Sequence, residues 1–275
     1  MITGSALCQV FQLLARRTWC DLRDGHLANI KVSEESITDF LLLDLKRACP
    51  SSVAIQKYTK HREGKTTGAD WEWWLVGQGK AFGMRVQAKR LDPVSCKYEE
   101  LDHTVPRRRQ KQVNLLLKDA RSHNLYPVYC FYNYWDKLAT PPKWRCRSYA
   151  PHWDLFGCSV CDARIVKTFI GKGVKGVSDI GSESFPWMCL VCCTGFSGEK
   201  AGIAERAHGV ARAMSLATTG GDAKVAATVD IPDLLDVEKL PDYVLPLLAS
   251  DRGTDRVMEA PEGRFLDGVL VLQED

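Results

Sequence analysis

Apolar residues recur at helical spacing near the start of the chain. Leu7, Val10, Phe11 and Leu14 fall on one stripe, so a helix is predicted over 5–24. A second stripe, Ile37, Phe40, Leu41 and Leu45, runs through KVSEESITDFLLLDLKRACP. Ser33 stands at the N-cap, glutamates occupy the first turn, and Pro50 follows the end. Projected at about 100° per residue, Glu34 falls inside this stripe and Glu35 outside it. From residue 53 the period becomes strand-like. Strands are predicted at 53–60, 69–76 and 81–90, with REGKTTG as a turn before the second and GQGK as a hairpin connection before the third.

Further on, RRRQKQVNLLLKDARSHN reads as an amphipathic helix with a basic start. YPVYCFYNYW reads as a strand of aromatic and β-branched residues, CDARIVKTF as a helix and FPWMCLVCC as a buried strand. Residues 218–275 mix Asp, Gly and Pro with short apolar pieces such as FLDGVLVLQ, and read as an irregular extension. This order of elements predicts an α/β fold in which a mixed central β-sheet is flanked by helices. Residues 1–217 would form the main domain and 218–275 a C-terminal extension.

Composition places the chain among ordinary globular proteins, with 45% hydrophobic and 26% charged residues. No apolar run reaches the roughly 18 residues that a membrane helix needs. The N-terminal arginines follow the apolar stretch instead of preceding it, so no secretory signal is expected and the cytoplasm is the expected compartment. There the 11 cysteines would be mostly free, buried thiols. A net charge of +3 hides an asymmetry: residues 57–112 hold 13 Lys/Arg against 7 Asp/Glu, and residues 222–275 hold 5 against 13. A positive middle suits a phosphate-rich partner such as DNA. The acidic end is either solvated surface or a DNA mimic that masks the basic face.

Two predicted strands carry charge where core is expected. Residues two apart share a strand face, so Asp70 and Glu72 point one way, and Gln87 and Lys89 share a face on the next strand. Buried charge is costly unless it is paired or bound to metal. If the hairpin brings these faces together, oxygen ligands and an ammonium converge, with Glu34 within reach from the preceding helix. Oxygen donors of this kind suit Mg2+ or Mn2+. A lysine beside them can orient water and stabilise charge on a phosphate.

GAD on one strand and QAK on the next resemble the PD-(D/E)XK nuclease superfamily in its Gln-X-Lys variant, as in Mrr-like restriction endonucleases and phage-defence nucleases. EESIT followed by leucines resembles the leading glutamate helix of such proteins. QVNLLLKDA followed by PVYCFYNYW resembles the helix and strand after their core. Residues 30–135 also resemble an uncharacterised bacterial family with GAD, QAK and YCFYN landmarks. The resemblance implies a restriction-endonuclease-like core and a metal-dependent deoxyribonuclease in anti-phage defence, with room for a homodimer. It implies Asp70 as the main metal ligand, Gln87 in the place of the usual glutamate, the Ala88 carbonyl completing the coordination and Lys89 as the catalytic lysine. Glu34 would be the helix carboxylate, with Glu35 or Glu72 as alternatives. Gln112 would point toward the site or DNA. Arg90, Arg107, Arg108 and Arg109 would meet the DNA backbone, extended by Lys80 and Arg85.

Two other readings stand beside this one. A neutral Gln87 ligand suits a non-catalytic nucleic-acid-binding protein that kept the fold. Cys158, Cys161, Cys189 and Cys192 form two C-x-x-C units 27 residues apart, the raw material of a zinc-bearing interaction module. The flanks speak against structural Zn2+ there, because PWMCLVCC reads as a buried strand that would turn Cys189 and Cys192 to opposite faces.

Overall fold

Two long helices open the chain, as their apolar stripes require. Helix α1 (Ala6–Leu27) buries Leu7, Phe11, Leu14 and Leu22. Helix α2 (Glu34–Ala48) begins where Ser33 Oγ accepts from the Ser36 N–H at 3.1 Å. It buries Ile37, Leu41, Leu42 and Leu45. Phe40, predicted to lie on that stripe, is instead 60% exposed. It stands roughly 120° round the helix from the centre of the buried positions. The computed structural model describes residues 6–58, 67–106, 108–218, 231–249 and 266–274.

The remaining elements are β1 (Val53–Lys57), β2 (Trp71–Gly77), β3 (Lys80–Arg90), β4 (Thr104–Val105), β5 (Gln110–Lys111), α3 (Gln112–Ser122) and β6 (Tyr126–Tyr132). They continue with β7 (Cys158–Asp162), α4 (Ala163–Gly171), α5 (Val177–Ile180), β8 (Phe185–Pro186), α6 (Cys189–Cys192) and α7 (Ile203–Thr218). β9 (Leu235–Asp236), a short helix α8 (Leu245–Ala249) and β10 (Gly268–Glu274) follow among the described residues. The protein is a mixed α/β fold. Its central sheet runs β1-β10-β2-β3-β6-β7-β8, with β9 against the start of β3. β10 runs parallel to β2 and β6 parallel to β3, while the other adjacent pairs are antiparallel.

Strand alternation divides the core in two. Trp71, Trp73, Met84 and Val128 face α1, α2 and α7, where they meet Phe11, Leu41 and Val210. Trp74, Val76, Tyr129 and Phe131 face α3 and α4, where they meet Val113, Leu116 and Val166. The β2–β3 hairpin turns at Gln78 and Gly79, both at positive φ (53° and 73°). Two such residues make the mirror-image turn whose twist matches antiparallel strands. Among the described residues, no helix is long and apolar enough to cross a membrane.

Four local expectations are corrected. The basic stretch before α3 is not helix: β4 and β5 form a small hairpin with Arg108 and Arg109 at its turn, and α3 starts only at Gln112. Arginines there would have opposed the helix dipole, and the hairpin removes the conflict. CDARIVKTF begins with the last residues of β7, and Asp162 then caps α4 through Oδ1 to the Arg164 N–H at 2.7 Å. FPWMCLVCC is not a strand: β8 ends at Pro186 and a single helical turn follows. The C-terminal stretch is not wholly irregular either. β10 is an interior strand between β1 and β2, with Val269, Leu270 and Val271 at 1% exposure or less.

Candidate active site at the ends of β2 and β3

The β2–β3 register places Trp71 opposite Val86 and Glu72 opposite Arg85. One residue earlier, the Asp70 N–H donates to the Val86 carbonyl at 2.8 Å, so Asp70 comes to Gln87. Gln87 Nε2 donates to Asp70 Oδ2 at 2.5 Å and to the Ala88 carbonyl at 2.9 Å. The Ala88 N–H donates to the same Asp70 oxygen at 2.9 Å. Asp70 is 7% exposed and Gln87 1%. The hairpin thus joins GAD to QAK.

Helix α3 closes this group from behind. Gln112, its first residue, donates from Nε2 to Gln87 Oε1 at 2.6 Å. Gly68 makes the approach possible. Its φ is +69°, and a Cβ there would lie 2.4 Å from the Gln112 carbonyl oxygen. Only glycine accepts both the left-handed backbone and that contact.

Helix α2 reaches the same place with its first residue. Glu34 Oε2 accepts from the Arg90 N–H at 2.9 Å, and its Oε1 lies 3.6 Å from Lys89 Nζ. Lys89 is 6% exposed, close to a carboxylate and near the strand end. Its ammonium is therefore held at the site and not waving in solvent.

In front of these residues lies a cleft of about 100 Å³. Five carboxylates line it: Glu34, Glu35, Asp39, Asp70 and Asp267. The lysine in its wall, Lys57, pairs with Asp39 at 2.7 Å. Carboxylates gathered in this way suit a hard divalent cation, which takes carboxylate and carbonyl oxygens and keeps several waters. The donors fit Mg2+ on one condition. Gln87 now presents its amide nitrogen to Asp70, so its oxygen joins a ligand set only when the amide turns over. Gln112 Oε1 is buried without a hydrogen-bond partner among the described residues. Once Gln112 turns too, this oxygen can accept the displaced Gln87 Nε2.

Two residues of the site were not singled out from sequence. Asp267 lies just before β10, and its N–H donates to the Asp70 carbonyl at 2.7 Å. Its only sequence signal is an acid before the apolar run GVLVL. Tyr129 sits beside Gln87 in the β3–β6 register, and its buried hydroxyl has no hydrogen-bond partner among the described residues. Burial, then the charges of Asp70 and Glu34, push this phenol far above its ordinary range, so it keeps its proton.

Other candidates fall elsewhere. Glu72 is fully buried and takes hydrogen bonds from Arg85, Trp74 and Tyr243, while Arg85 Nε also lies 2.7 Å from Asp119 Oδ2. Glu72 is therefore part of a core ion-pair network, and Arg85 cannot extend a DNA footprint. Lys80 pairs with Asp236 at the far end of β3, about 33 Å from Arg90 along an 11-residue strand. Arg90 is half-buried beside a neighbouring cleft that also includes Asp92. Arg108 and Arg109 are exposed on the β4–β5 turn, which leads directly into Gln112. Arg107 lies outside the described residues.

The four C-x-x-C cysteines do not gather. Cys158 and Cys161 belong to opposite faces of β7, and Cys192 is bonded to Cys8 as a disulfide with a Cα–Cα distance of 5.1 Å.

The chain belongs to DUF6615, a family of unknown function, whose model matches residues 7–275. No curated protein and no solved structure matches it.

Proposed function

We propose that the protein is a metal-dependent endonuclease that hydrolyses DNA phosphodiester bonds. The observation that carries this reading is one acid-lined cleft with Asp70, Ala88 and Glu34 in its wall, where Gln87 bonds to Asp70 and Lys89 Nζ lies 3.6 Å from Glu34. The nearly buried Lys89 is held toward a carboxylate that lines the cleft. The resemblance of GAD and QAK to the Gln-X-Lys nucleases supports the same assignment.

Asp70, Glu34 and the Ala88 carbonyl would hold Mg2+ or Mn2+, with Gln87 joining after its amide turns. The ion would supply Lewis-acid polarisation of a phosphoryl oxygen and a lowered pKa for attacking water. Lys89 donates toward that water or the phosphate and offsets negative charge as the new P–O bond forms. Attack at phosphorus, with the water's proton passing to solvent, expels the leaving deoxyribose oxygen, which takes a proton from solvent. The Tyr129 hydroxyl, protonated and without a hydrogen-bond partner among the described residues, is a further donor beside Gln87. Arg108 and Arg109, on the hairpin that precedes Gln112, would meet the DNA backbone, with the cytoplasm as the proposed compartment.

The test is plasmid cleavage with magnesium or manganese by the intact protein and by Lys89→Ala. Cutting by the first alone supports the reading. The Gln87–Asp70 hydrogen bond favours one rival, a binding module in which the amide replaces the metal. DNA retardation by both proteins with cutting by neither would establish that rival in its place.

A further inference from the structure

We propose that Cys146, Cys189 and Cys193 form a structural zinc site, separate from the acid-lined cleft. Among the described residues, the sulfurs of these three side chains all lie within 4.8 Å of one another. All three residues are buried, Cys189 and Cys193 completely. In a tetrahedral site with Zn–S of about 2.3 Å, the sulfurs stand about 3.8 Å apart, so small rotations bring this set to the required spacing.

Local geometry explains why these cysteines meet. The Cys193 N–H donates to the Cys189 carbonyl at 3.3 Å, closing one helical turn. Residues four apart on such a turn share a face. The pair Cys189–Cys193 is thus a C-x3-C unit, within the usual spacing for zinc. Cys192, the partner that a C-x-x-C reading selects, points instead to α1 and bonds to Cys8. The third sulfur arrives from the segment 133–152, far away in sequence.

A further ligand atom stands beside the three sulfurs. Ser148 Oγ lies 3.1 Å from the Cys193 sulfur and offers an oxygen for a fourth position. Zinc would bind three sulfurs at this spacing as thiolates, releasing their protons, and would couple its binding to the folding of the segments that carry them.

The fold also needs a fastening here. Residues 133–152 contain no helix or strand. Segments of this length without regular structure are uncommon inside compact domains. The Trp144 Nε1–H to Tyr149 carbonyl bond at 2.7 Å and the Arg145–Glu183 ion pair hold it in places. A zinc ion shared with α6 would tie its middle to the core.

Elemental analysis of the full chain, expressed with zinc and purified without chelator, tests this. One zinc per chain is expected. Replacing that zinc with cobalt should give thiolate-to-cobalt charge-transfer bands, which need no variant. The triple variant Cys146→Ser, Cys189→Ser, Cys193→Ser should lose the metal, and Cys158→Ser with Cys161→Ser should keep it. Removing zinc with a strong chelator should speed proteolysis within 133–152. A metal-free wild type, iron in place of zinc, or full zinc occupancy in the triple variant would each overturn the proposal.

Discussion

Gln87 presents its amide nitrogen, not its oxygen, to the Asp70 carboxylate, at 2.5 Å. The donor partly does the work that a cation would do at this position. Gln87→Glu replaces it with a second negative charge. Without divalent metal the variant should lose the charged hydrogen bond, a cost of about 1.5–3 kcal/mol, and unfold at a lower temperature. Magnesium or manganese should restore it by neutralising the pair. Thermal melts with and without metal check this, and a Tm shift that ignores the metal would count against a cation site at Asp70.

The arginines at the β4–β5 turn are exposed, and the helix that carries Gln112 begins just after them. If they contact phosphates, each contributes to counterion release. Arg108→Ala with Arg109→Ala should weaken DNA binding and reduce the slope of log K against log salt by about 2. Titrations at several salt concentrations would measure it. An unchanged slope would remove the hairpin from the interface.

Arg85 sits fully buried between Glu72 and Asp119. Removing one member of such a network leaves unpaired charge in the core. Arg85→Ala should therefore destabilise the fold by about 3–5 kcal/mol. Chemical denaturation reads this directly. A small loss would mean that water or a rearranged side chain already serves the two carboxylates.

His208 packs edge-on against Phe82, ring centroids 5.3 Å apart. Burial, and then the Arg212 charge, lower its pKa from 6.5, while Asp233 acts in the opposite sense. Above 6.5 the ring is neutral in both folded and unfolded chains, and its contribution to stability is complete. As the pH falls below 6.5, the unfolded chain takes up the proton first and that contribution is lost. His208→Gln should therefore show a flatter stability profile than the wild type from pH 6.5 downward, and a parallel one above it. Melts across this range test the sign.

The sequence by itself determined the local parts of this protein. The stripes of α1 and α2, the Ser33 cap, the turn at Gln78–Gly79 and the alternation around Asp70, Gln87 and Lys89 are short-range patterns. Steric and hydrogen-bonding rules acting over a few residues are enough to read them. That is why the strand pair carrying GAD and QAK was legible, and with it most of the candidate site. Tertiary structure alone decided the rest. β10 enters between β1 and β2 from the far end of the chain, bringing Asp267 to the cleft, because an apolar strand of seven residues is worth most inside a sheet. Glu72 left the site because Arg85 lay opposite it in the register. Cys193 joined Cys189 and Cys146 because that segment folded as a helical turn, where four residues return to the same face and three do not quite. Pairing between distant segments depends on which surfaces remain to be buried once local elements have formed, and no short window of sequence carries that information.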